Sequence, residues 1–80
     1  MLDFGTYIRI ILVKKQLTQQ DVVDRVNQLG LMENGAIFTK QKFSNMLNGI
    51  IPLSKRYAKR LEKALELQNG SLNMFITSRR

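Results

Sequence analysis

The stretch Thr39-Lys40-Gln41-Lys42-Phe43-Ser44-Asn45-Met46-Leu47-Asn48-Gly49 decides how this chain is read. At roughly 100° per residue, a helix through it gathers Phe43, Met46, Leu47 and the following Ile50 on one side. Gln41, Ser44, Asn45 and Asn48 fall on the opposite side, flanked by Lys40 and Lys42. Thr39 is a side-chain N-cap and Gly49 a C-terminal stop, so the sequence predicts a helix over 40–48. One side of such a helix is buried. The other offers amides, which bond bidentately to the edge of adenine, and lysines, which suit guanine acceptors or phosphate. The pattern fits a short helix laid into the major groove of DNA.

Working outward, Pro52 interrupts and Ser54 caps a fourth helix. Along it Tyr57, Ala58, Leu61, Ala64 and Leu65 are expected inside, with Lys55, Arg56, Lys59, Arg60 and Lys63 outside. Glu62 and Glu66 are spaced to pair with Lys59 and Lys63 along that helix. Gly70 is its expected end. Ser71 is a cap for a final short helix carrying Leu72, Phe75 and Ile76 on one side, before the charged tail Arg79-Arg80.

Upstream, Phe4, Tyr7, Ile8, Ile11 and Leu12 fit an amphipathic helix, with Asp3 as its cap and Lys14 and Lys15 suiting its negative end. The β-branched Ile10 and Val13 make a strand over 6–13 a competitor. Thr18 and Asp21 form a shortened capping box for a second helix. Its buried stripe is Val22, Val23, Val26 and Leu29, and Gly30 stops it. Asn34-Gly35, between two short apolar triplets, gives residues 31–38 the character of a loop with a hairpin turn. No repeat or interdomain linker divides residues 1–80, which read as one domain.

Composition narrows the chemistry. The chain has 80 residues, 44% of them hydrophobic, enough for one small core. It contains no cysteine and no histidine, which removes thiol catalysis and the usual general base and metal ligand. Asp21 with Asp24 is ordinary acid at a helix start, and no glycine-rich phosphate loop is present, so neither an enzyme nor a cofactor is expected. The longest apolar run, Ile10 to Val13, is far short of the roughly 20 residues that span a bilayer. With no leader-like segment and no disulfide framework, a cytoplasmic setting is expected.

Charge points to a polyanion. Lys and Arg number 13 against 6 Asp and Glu, for a net charge of +7. The excess lies in the second half: between Lys40 and Lys63, the seven cations Lys40, Lys42, Lys55, Arg56, Lys59, Arg60 and Lys63 stand against Glu62 alone. Helix N-termini are positive and prefer anions, by roughly 0.3 to 1 kcal/mol for each charge. The second helix obeys this rule with Asp21 and Asp24. The third and fourth break it, opening with Lys40 and Lys42 and with Lys55 and Arg56. A docked phosphate at either end would reverse the penalty.

Three segments together resemble a known family: Leu17-Thr18-Gln19-Gln20-Asp21-Val22-Val23, then Phe38 to Gly49, then Leu61-Glu62-Lys63-Ala64-Leu65. In their order, residues 7–76 are similar to the Cro/repressor-type (xenobiotic-response-element-type) helix-turn-helix proteins of phages and bacteria. The resemblance implies an all-α, compact five-helix bundle that binds double-stranded DNA as a homodimer and represses transcription. In that family the second helix braces on phosphate while the third enters the major groove. By position, Lys40, Gln41, Ser44 and Asn45 are the implied base contacts. Gln19, Thr39, Lys42, Asn48, Lys55 and Arg56 are the implied phosphate contacts. Phe43 and Met46 anchor the third helix.

One departure stands out. The family's connection between its second and third helices is tight, and here roughly ten extra residues, about Asn27 to Ile37, lengthen it. This insert is free to extend the second helix, to add a loop, or to make a contact of its own. Leu72, Phe75 and Ile76 form a candidate dimer seam, with packing onto the first helix as the competing role. The leading expectation is a sequence-specific regulator on a palindromic operator. The alternative is a protein-interaction module, antitoxin-like or anti-repressor, that binds its partner through residues 31–38; a charge-only, non-specific nucleic-acid binder is a third.

Overall fold

Side-chain caps open every α-helix of the structure, a computed structural model that describes residues 3–30, 32 and 36–76. The helices are α1 (Phe4–Lys15), α2 (Gln19–Gln28), α3 (Lys40–Leu47) and α4 (Lys55–Ala64), followed by a 3-10 turn at Asn73–Phe75. Asp3 accepts from the Thr6 amide at 2.8 Å, Thr18 from Asp21 at 3.1 Å, Thr39 from Lys42 at 3.1 Å and Ser54 from Tyr57 at 3.2 Å. Each satisfies an N–H that has no partner inside its helix. The shortened capping box closes fully, because the Asp21 carboxylate also accepts from the Thr18 amide at 2.9 Å. These amide bonds hold the Asp3 and Asp21 carboxyls below the usual carboxylate range.

The fold is all-helical, with no strand among the described residues. The strand alternative over 6–13 gives way to α1, whose Phe4, Ile8 and Leu12 are buried and whose Tyr7 and Ile11 pack against the core. α3 packs against α1 and α2, and α4 against α2. Phe38, Phe43, Ile8, Leu61, Leu65, Leu72, Val22 and Val26 fill the centre. No helix among the described residues is long and apolar enough to cross a membrane.

Helix ends depart from expectation in an instructive way. α4 stops at Ala64, not at Gly70, and the chain turns at Glu66 with φ +58°. The Leu67 amide donates to the Glu62 carbonyl at 2.8 Å and the Glu66 amide to the Lys63 carbonyl at 3.2 Å. α1 ends the same way at Gln16, φ +58°, with Leu17 bonded back to Leu12 at 2.8 Å. Both are glycine-free versions of the paired C-terminal turn in which the next apolar residue packs back on the helix. Leu17 and Leu67 both reach the core, and their burial outweighs a left-handed residue that costs about 1–2 kcal/mol. α3 ends with the same pair of hydrogen bonds at the expected Gly49, φ +79°, but without the apolar residue packing back.

Four inward or outward assignments change. Leu29 lies beyond the end of α2 and is exposed, and Ile50 is 69% exposed because the turn at Gly49 carries it off the buried side of α3. Arg60 is buried rather than outward, its guanidinium 4.9 Å from the Tyr57 ring. Glu62 is only 3% exposed and accepts from the Leu72 amide at 2.9 Å. That bond pins the segment after α4 onto the bundle. The expected fifth α-helix is reduced to the 3-10 turn, and Ser71 caps nothing there; its hydroxyl donates to the Gln68 carbonyl at 2.6 Å. The Asn34-Gly35 turn and the Arg79-Arg80 tail lie outside the described residues.

Candidate nucleic-acid interface

Burial of Phe43, Met46 and Leu47 fixes the rotation of α3 about its axis. What remains outside is the polar face: Gln41 and Asn48 exposed, Ser44 and Asn45 half-exposed, and Lys40 exposed at the first position. The amides are ordered rather than loose. Gln41 donates Nε2–H to Asn45 Oδ1 at 3.0 Å, and a longer contact of 3.5 Å runs from Asn48 Nδ2 to Ser44 Oγ. An amide oxygen has two lone pairs and an amide nitrogen two hydrogens, so Asn45 keeps an acceptor site and both donors, and Gln41 keeps its carbonyl. That is the donor–acceptor pair which an adenine edge requires.

The first turns of α3 and α4 meet at Tyr57. Its ring lies 5.1 Å from Lys42 Nζ and packs on Phe38 with the two rings tilted by 32° and their centroids 5.6 Å apart. Phe38 in turn touches Phe43 at 5.7 Å. Lys42 is therefore a half-buried, positioned cation. Lys55 and Arg56 are exposed at the start of α4, and neither α3 nor α4 has an acid in its first turn. Thr39 uses its oxygen as the α3 cap, leaving its hydroxyl hydrogen to donate. Gln19 opens α2 and is half-exposed.

The lengthened connection does not loosen α3. Asn27 grips both sides of the Phe38 backbone: Nδ2–H donates to its carbonyl at 2.9 Å, and the Phe38 amide donates to Oδ1 at 2.8 Å. The insert is thus closed at its base, where Phe38 is 1% exposed. Leu29 and Ile37 flank that base as exposed apolar side chains.

Of the candidate seam, Leu72 is 0% exposed and has no surface to offer a partner. Phe75 packs on α1, with ring centroids 5.8 Å from Phe4 and 5.1 Å from Tyr7, and Ile76 is half-buried. The α1-packing role applies here.

Sequence reading passed over Asn27, Arg9, Arg25 and Gly5. Arg25 donates to the Ala64 carbonyl at 3.0 Å and so joins α2 to the end of α4. An asparagine near a helix end is an ordinary residue until the backbone it grips is known, so composition held no signal for it. Gly5 inside an otherwise regular helix was a signal, because glycine there marks a close backbone approach. Compared with protein-family models, with curated proteins and with solved structures, the chain finds no significant match.

Proposed function

We propose that the chain is a sequence-specific DNA-binding transcriptional regulator, a cytoplasmic repressor that acts as a homodimer on a palindromic operator. The observation that carries this reading is the outward polar face of α3, with Gln41 and Asn45 paired on the side opposite Phe43. On this reading α2 and α3 are a helix-turn-helix with a lengthened connection, and the 3-10 turn takes the place of the family's fifth helix. Lys40, Gln41, Ser44 and Asn45 read base edges. Gln19, Thr39, Lys42, Lys55 and Arg56 hold phosphates, with Asn48 beside them at the end of α3. The cationic first turns of α3 and α4 support the reading, since a phosphate there turns a helix-end penalty into an attraction.

Alanine at Gln41 or Asn45 tests it. Each substitution is expected to cost roughly 1 to 3 kcal/mol on the preferred sequence and to narrow the gap between that sequence and random duplex. Variants that keep the full gap in a competition gel shift would reject α3 as the reading helix.

Exposed Ile37, with exposed Leu29 beside it, favours a second reading, a protein partner bound at 31–38, although Phe38 is buried and Met32 packs against the core and neither adds to such a patch. Deleting residues 31–37 separates the two. Loss of a co-purifying protein with DNA binding intact supports the partner; loss of DNA binding supports a role for the insert on the operator.

A further inference from the structure

α3 carries lysines in its first turn and no cation in its last, although positive charge is stabilising at a helix C-terminus. That charge arrives from α1. Arg9 donates Nη2–H to Asn48 Oδ1 at 2.9 Å, joining residues 39 positions apart. Gly5 makes the reach short. A Cβ at Gly5 would overlap the Leu47 carbonyl oxygen and stand 3.0 Å from Arg9 Nη1. α1 therefore crosses the end of α3 in backbone contact, and the guanidinium lies over the crossing.

Arg9 and Asn48 are both exposed, and both line a groove of about 720 Å³. A guanidinium has five N–H donors in a planar fork that matches phosphate oxygens. Its partner Asn48 is neutral and takes none of the positive charge. Asp3, the carboxylate in the same groove, accepts from the Thr6 amide and is close enough to attract Arg9, so a phosphate on the guanidinium would compete with that exposed carboxylate. The bond to Arg9 also orients the Asn48 amide, oxygen toward α1, so that its nitrogen faces away from the guanidinium, with one N–H in the long 3.5 Å contact to Ser44 Oγ and the other left to donate.

We propose that Arg9 and Asn48 form a phosphate clamp, contributed by α1 at the end of α3 opposite Lys40. The proposal rests on α3 being the reading helix. With Lys42, Lys55 and Arg56 near one end and the Arg9–Asn48 pair at the other, α3 is held to the backbone at both ends and its register on the bases is fixed.

The test compares Arg9→Gln with Lys14→Gln, which removes the same charge from an exposed position on the same helix. Binding to a mixed-sequence 30-base-pair duplex (about three turns of DNA) is followed across roughly 50 to 200 mM salt. Arg9→Gln is expected to lower the slope of log K against log salt by about 0.9 and to weaken binding roughly tenfold or more. Lys14→Gln keeps the wild-type slope. Arg9→Lys, which retains the charge, restores the slope while losing part of the affinity. Equal slopes for Arg9→Gln and Lys14→Gln overturn the clamp. So does an Arg9→Gln variant that melts earlier yet keeps the wild-type slope, since that assigns Arg9 to bracing α3. Wild-type protein that binds no duplex rejects the DNA reading itself, a result distinct from either.

Discussion

The two halves of the bundle treat helix electrostatics in opposite ways. α1 ends in Lys14 and Lys15, and α2 begins with Asp21 in a closed capping box, so charge and dipole agree. α3 and α4 begin with lysines and arginine and have no acid there. Their stability comes from elsewhere: the Phe38–Phe43–Tyr57 ring stack, and arginines lent by the first half, Arg9 to Asn48 and Arg25 to the Ala64 carbonyl. The first half is built to fold, and the second is held in place by the first so that its surface can stay cationic. Local rules broken in one region and obeyed in its neighbour are the mark of a functional surface.

The contrast has measurable consequences. The ring stack is the main support of the cationic half, so Phe38→Ala should cost about 3–5 kcal/mol in denaturant unfolding. A loss no greater than that of an ordinary cap, about 1 kcal/mol, would break the comparison. A smaller effect has the opposite sign. Lys55→Glu should stabilise the fold by roughly 0.3 to 1 kcal/mol while weakening DNA binding and flattening its salt dependence. Destabilisation by this change would show that the lysine serves the fold. The smallest effect separates the halves by pH. The Asp3 and Asp21 carboxyls sit below their unfolded values, principally through the amide bonds of Thr6 and Thr18. Their contribution is present above about pH 4 and is lost as pH falls through the lower folded values. The Thr39 and Ser54 caps do not titrate. Thermal melts of Asp21→Asn should therefore decline less than those of wild type between about pH 5 and 2.5.

Sequence pattern carried the fold where side chains act on their own backbone. All four caps, Asp3, Thr18, Thr39 and Ser54, and the apolar buried residues of all four helices were readable from local spacing, apart from Leu29 and Ile50 just beyond the ends of α2 and α3. It was less informative where a partner distant in sequence decides. Glycine marks helix ends well, yet Gln16 and Glu66 end α1 and α4 because Leu17 and Leu67 are drawn to the core. Arg60 and Glu62 look solvated by periodicity, and are buried by the Tyr57 ring and the Leu72 amide. For the candidate site, the outward placement of Gln41, Ser44, Asn45 and Lys40 was legible, since burying Phe43 leaves them nowhere else to go. Arg9 was not, because its relation to α3 exists only once Gly5 brings α1 against Leu47.

The central claim is that the α3 face distinguishes one DNA sequence from another. Selection of bound duplexes from a random pool, followed by sequencing, tests it most directly. The account predicts an enriched palindrome whose half-sites lie about 10 base pairs apart, one helical turn or roughly 34 Å, centre to centre. A pool that stays random at every salt concentration would contradict it.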